Sequence, residues 1–174
     1  MPRLPHALPM YESEPGALAE HLGRLCREHR IEVTTAESCT GGGIAAAITE
    51  VAGSSAYFTT GYVTYADTAK TRLLGVKPAL LDAHGAVSRD VVQAMVEGAC
   101  RDSGAQLAVA VSGVAGPGGG SDAKPVGTVW LAWGNLSHQQ VECFHFSGSR
   151  QAVREQAVHQ ALAGLILWIE TMAE

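Results

Sequence analysis

Residues 106–113, QLAVAVSG, form an unbroken apolar run that ends in Ser-Gly. A run of this length is too short for an ordinary helix, and without polar alternation it has no face to offer to water. It therefore reads as a strand buried on both sides, and such a strand needs a layer of structure above and below its sheet. The rest of the chain supplies those layers. Leu18, Leu22, Leu25 and Cys26 share one helical face in a segment ending near His29, and IEVTT at 31–35 follows as a β-branched strand. AESCTGGG then leads into a second helix carrying Ile44, Ile48 and Val51.

The remaining segments follow the same rhythm. YFTTGYVTY at 57–65 predicts a strand, and ADTAKTRLLG a helix stopped by Gly75. KPALLDAHGAV is ambiguous, whereas Ser88 is a plausible N-cap for a helix that turns Val91, Val92, Met95 and Ala99 inward. GTVWLAWG and VECFHFSG predict an antiparallel hairpin, and a last helix from about Arg150 aligns Val158, Leu162, Leu165, Ile166, Ile169 and Met172. The expected fold is a layered α/β/α domain with a mixed, largely parallel sheet and a C-terminal hairpin plus helix. The proline-rich residues 1–15 are expected to form a loose N-terminal arm, with one domain over 16–174. Trp130 and Trp133 make the hairpin an expected dimer interface.

Composition narrows the partners. Twelve basic against seventeen acidic residues give a formal charge of −5, the wrong sign for a protein that coats nucleic acid. The apolar run at 161–169 is far below the roughly 18–20 residues that cross a bilayer, so no membrane is expected. Cys26, Cys39, Cys100 and Cys143 include no CxxC pair, and the seven histidines form no HExxH, so no metal is expected. Widely spaced cysteines suit a reducing, cytoplasmic setting.

Several motifs come near and fail. The run SGVAGPGGGSDAKPVGT at 112–128 contains neither GxxxxGK[ST] nor GxGxxG, which removes a Walker loop and a dinucleotide fingerprint. Ser121 and Lys124 form S-x-x-K, but three glycines before it and a proline after it argue against the helix that this chemistry requires.

Two glycine-rich turns survive. Ser38 stands at the handover from strand to helix and is followed by Thr40, Gly41, Gly42 and Gly43; Ser112, Gly113 and Gly116 follow the buried strand. Ligands of open α/β sheets bind beyond strand C-termini, and helix N-termini there favour anions. Ser38 can equally be a simple helix cap. Arg150 and Arg154 can clamp a phosphate, or merely open the last helix in solvent.

The segments ESCTGGG (37–43), GSS (53–55), GYVTY (61–65), HGAV (84–87), SGVAGP (112–117) and KPVGTV (124–129), in this order and spacing, closely resemble the CinA C-terminal domain family, the nicotinamide-nucleotide amidohydrolases. The resemblance covers about residues 16–170. It implies hydrolysis of the carboxamide of nicotinamide mononucleotide to nicotinate mononucleotide and ammonia, with no metal or cofactor. Ser38 then matches the nucleophile, and Tyr65 and Lys70 match a YxxxxK pair that activates it. On residue type alone, Tyr65 is a sheet-edge aromatic and Lys70 a solvated helix residue. The turn with Thr40, Gly41 and Gly42 becomes the expected oxyanion hole, with each donor contributing about 2.7–4 kcal/mol where measured. Ser112 and Gly113, with Gly116 beside them, and Arg150 become the expected phosphate contacts; Arg154 stays open as an alternative, because SGSR lacks the acidic residue that precedes the arginine in many relatives. Many relatives also carry a larger metal-dependent domain, so this chain is expected to be either a stand-alone enzyme or a fragment. The alternative is a nucleotide- or phosphate-binding module without catalysis.

Overall fold

The computed structural model describes residues 14–173. Its backbone forms a five-stranded sheet in the order β2-β1-β3-β4-β5. The strands are β1 (Val33–Glu37), β2 (Phe58–Val63), β3 (Leu107–Gly113), β4 (Thr128–Gly134) and β5 (Gln139–His145). β1 pairs in parallel with β2 and β3, whereas β3–β4 and β4–β5 are antiparallel. The sheet is thus parallel on one side of β3 and a hairpin extension on the other, as the sequence predicts.

Side-chain size decides which layer lies on which face. Leu107, Val109 and Val111 of β3 pack into one cluster with helices α1 (Pro15–His29), α2 (Gly43–Thr49) and α6 (Arg150–Met172). The intervening Ala108 and Ala110 face a second cluster, built with α3 (Asp67–Leu74), α4 (Pro78–His84) and α5 (Arg89–Ser103). Small strand residues let α5 sit close. Where α5 meets α3, a Cβ on Gly98 would lie 1.9 Å from the carbonyl oxygen of Leu74. The ambiguous 77–87 segment resolves into α4, which starts on Pro78, and Ser88 caps α5 by accepting from the Val91 N–H at 3.3 Å. α1 begins at Pro15, and the rest of the expected arm, residues 1–13, lies outside the described residues.

The hairpin corrects one expectation. Trp133 is fully buried against α6, with its indole N–H donating to the Ala161 carbonyl at 3.0 Å, and Trp130 is half-buried beneath Arg89. Trp133 therefore serves the core, and the hairpin is not the exposed pair of aromatic rings that the sequence suggests. Gly164 makes room for Trp133, since a Cβ there would meet the indole at 2.1 Å.

Chain order now locates the crevice. From β1 the chain crosses over α2 to β2 on one side, then returns over α3, α4 and α5 to β3 on the other. Connections diverge at β1, so its C-terminal end, beside that of β3, is a topological switch point where open α/β sheets bind ligands.

Candidate active site

Ser38 follows β1 directly and is tied to β3 by its N–H, which donates to the Val111 carbonyl at 3.1 Å. Alternation along β1 sends Ala36 and then Ser38 towards the α3/α5 layer. Lys70 reaches the same place from the first turns of α3. It is 1% exposed, which overturns the reading of a solvated helix lysine. Its Nζ lies 3.1 Å from Ser38 Oγ, 2.8 Å from the Thr64 carbonyl and 3.0 Å from the Tyr65 carbonyl. Burial pushes the Lys70 pKa below its ordinary value, opposed by Asp67 and Cys39; the Asp67 carboxylate stands 3.9 Å away and is well exposed.

That geometry suits a base. A neutral amine has two N–H donors and one lone pair, and the two carbonyls absorb both donors. The lone pair is then left to Ser38 Oγ, whose proton it can take.

Tyr65 enters differently from the expectation. Its carbonyl, not its phenol, contacts Lys70 and lies 3.4 Å from Ser38 Oγ. The side chain is 60% exposed, and its hydroxyl accepts from Arg150 at 3.1 Å. The phenol thus stands against Arg150, and the carbonyl is the part of Tyr65 that faces Lys70 and Ser38. Arg150 also donates to the Gly116 carbonyl at 2.8 Å, so it bridges the loop after β2 to the loop after β3 at the mouth of the crevice. Ser112 is buried near the end of β3, on the Ser38 side of the sheet, and Gly113 lies against Val129.

The helix terminus after Ser38 is the second correction. Ser38 does not cap α2; the N-cap is Gly42, at φ +100°, with Gly41 also left-handed at +58°. The α2 N–H groups expected to attract an anion are already occupied. The Glu37 carboxylate accepts from the N–H of Ile44 at 2.8 Å and of Ala45 at 3.1 Å, and from the Thr40 hydroxyl at 2.6 Å. Sequence reading missed Glu37, although an acidic residue ending a strand of otherwise uncharged residues was the available signal. Arg154 is likewise committed, its guanidinium donating to the carbonyls of Cys39 at 3.0 Å and Thr40 at 3.2 Å. Of the two arginines, only Arg150 stands exposed at the mouth.

Competing nucleophiles recede. Burial raises the Cys39 thiol to about 11, leaving it protonated and inert at neutral pH. Ser121 and Lys124 lie in a turn, not a helix, and Lys124 Nζ is spent on the His84 carbonyl at 2.6 Å. Among the described residues no group of three or more His, Cys, Asp or Glu side chains is placed to hold a metal ion.

Sequence comparison agrees with the architecture. The CinA C-terminal domain profile matches residues 16–169. The chain belongs to the CinA C-terminal domain family. Within it, the nicotinamide-nucleotide amidohydrolase PncC of Pseudomonas putida is 62% identical over 149 residues, covering 86% of this chain and 93% of the relative. The protein of the same description from Escherichia coli K12 is 48% identical over 159 residues, covering 90% and 95%. A CinA superfamily crystal structure from Klebsiella pneumoniae superposes with a TM-score of 0.88 at 40% identity, covering 91% of this chain and 99% of that one. The mixed sheet and its helix layers are therefore the CinA fold, and Ser38 and Lys70 meet at its switch point.

Proposed function

We propose that this CinA-family chain hydrolyses the carboxamide of nicotinamide mononucleotide to nicotinate mononucleotide and ammonia, with Ser38 as nucleophile and Lys70 as general base. The observation that carries the reading is the 3.1 Å approach of a buried lysine amine to the Ser38 hydroxyl, and the names of the P. putida and E. coli relatives, nicotinamide-nucleotide amidohydrolases, support the substrate.

The steps balance on these two side chains. Neutral Lys70 takes the Ser38 proton as Oγ bonds to the amide carbon, and the carbonyl oxygen becomes an oxyanion held by N–H donors of the turn at 39–42. Lys70 returns the proton to the amide nitrogen, the C–N bond breaks, and ammonia leaves an ester on Ser38. Water then attacks that ester, giving a proton to Lys70. As the second tetrahedral species collapses, Lys70 returns that proton to Oγ and restores the serine hydroxyl, and the released acid gives its remaining proton to solvent to become the carboxylate. Arg150, exposed at the mouth and held on the Gly116 carbonyl, is assigned to the phosphate together with Ser112 and Gly113 at the end of β3. The four free thiols fit a reducing compartment, and we assign the protein to the cytoplasm.

Ammonia release from the mononucleotide by purified protein is the test. Ser38→Ala is expected to lower kcat by at least about a thousandfold with an unchanged melting temperature, and full turnover in that variant would remove Ser38 from the chemistry.

A further inference from the structure

Thr40 is 1% exposed, and its polar groups are almost all spoken for. Its hydroxyl donates to Glu37, and its carbonyl accepts from Arg154 at 3.2 Å and from the Gly43 N–H at 3.0 Å. Its N–H is the exception, with no hydrogen-bonded acceptor among the described residues. A buried N–H without a partner costs free energy unless something accepts from it. This one belongs to the residue two after Ser38.

We propose that Glu37 and Arg154 are positioning residues that aim the Thr40 N–H at the oxyanion, a role that rests on the serine hydrolase reading above. The means is the peptide plane. In a trans peptide the Cys39 carbonyl and the Thr40 N–H point in opposite directions from one rigid unit. Arg154 Nε grips the Cys39 carbonyl at 3.0 Å, so it fixes the direction of the N–H on the far side. Glu37 holds the same residue by its hydroxyl, and through Ile44 and Ala45 it ties the turn to the start of α2. Opposite charges thus clamp one turn from its two sides, and neither needs to touch substrate. Gly41 and Gly42 take the left-handed conformations that let the chain pass between them. The Gly41 N–H closes onto the Ser38 carbonyl at 3.0 Å and the Gly43 N–H onto Thr40, which removes both from the donor set.

The side-chain chemistry makes the clamp testable by conservative changes. Lysine keeps the charge of Arg154 but, as a point donor, cannot hold two carbonyls in a fixed fork. Glutamine keeps one acceptor of Glu37 and turns an amide NH2 towards a backbone N–H, because both carboxylate oxygens accept.

Arg154→Lys and Glu37→Gln are each expected to lower kcat by about tenfold to a hundredfold, the loss for a donor misplaced rather than removed, with KM for the mononucleotide within about twofold. Pyridine-3-boronic acid, which forms a tetrahedral anion on a serine oxygen, supplies a second readout. Its affinity should fall by a similar factor in Arg154→Lys while that of nicotinate mononucleotide stays constant, and guanidinium ion should restore part of the turnover of Arg154→Ala. A merely structural role would lower both affinities together. Equal losses of both, or kcat in Arg154→Lys within twofold of the parent, overturns the clamp. Retained turnover in Ser38→Ala instead overturns the hydrolase reading, so the two failures are told apart.

Discussion

Lys70 concentrates the chemistry into one side chain. Burial disfavours its charged form, so its pKa falls, and the base is available at a lower pH than a surface lysine would allow. Activity should therefore rise with pH as Lys70 deprotonates, with the inflection of kcat/KM below the ordinary lysine value of about 10.4. The Asp67 carboxylate pulls the other way, raising the pKa from 3.9 Å. Asp67→Asn should move that inflection to lower pH, by a margin that shrinks in high salt, because the carboxylate is solvent-exposed. Stability follows the same sign. A lysine with a depressed folded-state pKa binds fewer protons folded than unfolded between its two values, so stability rises with pH across that window and falls as pH drops to the folded value. Denaturant titrations across that window should show a more upward slope in the parent than in Lys70→Met, the buried thiols contributing equally to both.

Among the elements, α3 has to be placed with care, because it delivers Lys70 while offering little to bury. Only Lys70 and Leu74 of this helix are buried. Its position is set from outside by α5, whose Gly98 sits against the Leu74 carbonyl, and by Gly75, which ends the helix at φ +69°. Gly98→Ala has backbone, not a flexible side chain, in the way. It is expected to cost about 1–3 kcal/mol of stability in urea unfolding and to lower kcat as well, since α3 must move to admit the methyl group. Preserved kcat in a destabilised Gly98→Ala would show that α3 holds its register independently. Apart from α4, whose segment is ambiguous in sequence, the helices were legible because amphipathic spacing and caps act locally: Ser88, Gly75 and the start at Arg150 all stand where the sequence puts them. Strand ends were less so. The 31–35 strand slid to Val33–Glu37, because pairing with β3 rather than β-branched composition sets its register.

Across the whole molecule, two cores of different texture flank the sheet, and the cysteines report on both. Cys26 and Cys39 lie in the core under α1, α2 and α6, Cys100 in the core under α5, and Cys143 on the half-buried hairpin strand. Burial raises Cys26 to about 12 and Cys39 and Cys100 to about 11. An aromatic disulfide reagent at neutral pH should accordingly modify Cys143 first and reach the other three at the rate of global unfolding. Fast modification of Cys39 would mean that the Ser38 turn opens on its own.

Local pattern determined much of this protein. Hydrophobic period, glycine stops and the buried run at 106–113 specify the layers and the hairpin, and the ordered motifs identify the family, because each depends on neighbours in sequence. What the partners of each side chain would be was decided by the tertiary structure. Trp133 reads as a surface aromatic until α6 covers it, and Arg154 as a phosphate ligand until its fork closes on two backbone carbonyls. Tyr65 supplies a carbonyl where its phenol was expected, and Glu37 fills the helix terminus reserved for an anion. In each case the contact joins segments far apart in the chain or depends on how the backbone turns, and residue type alone carries no record of either.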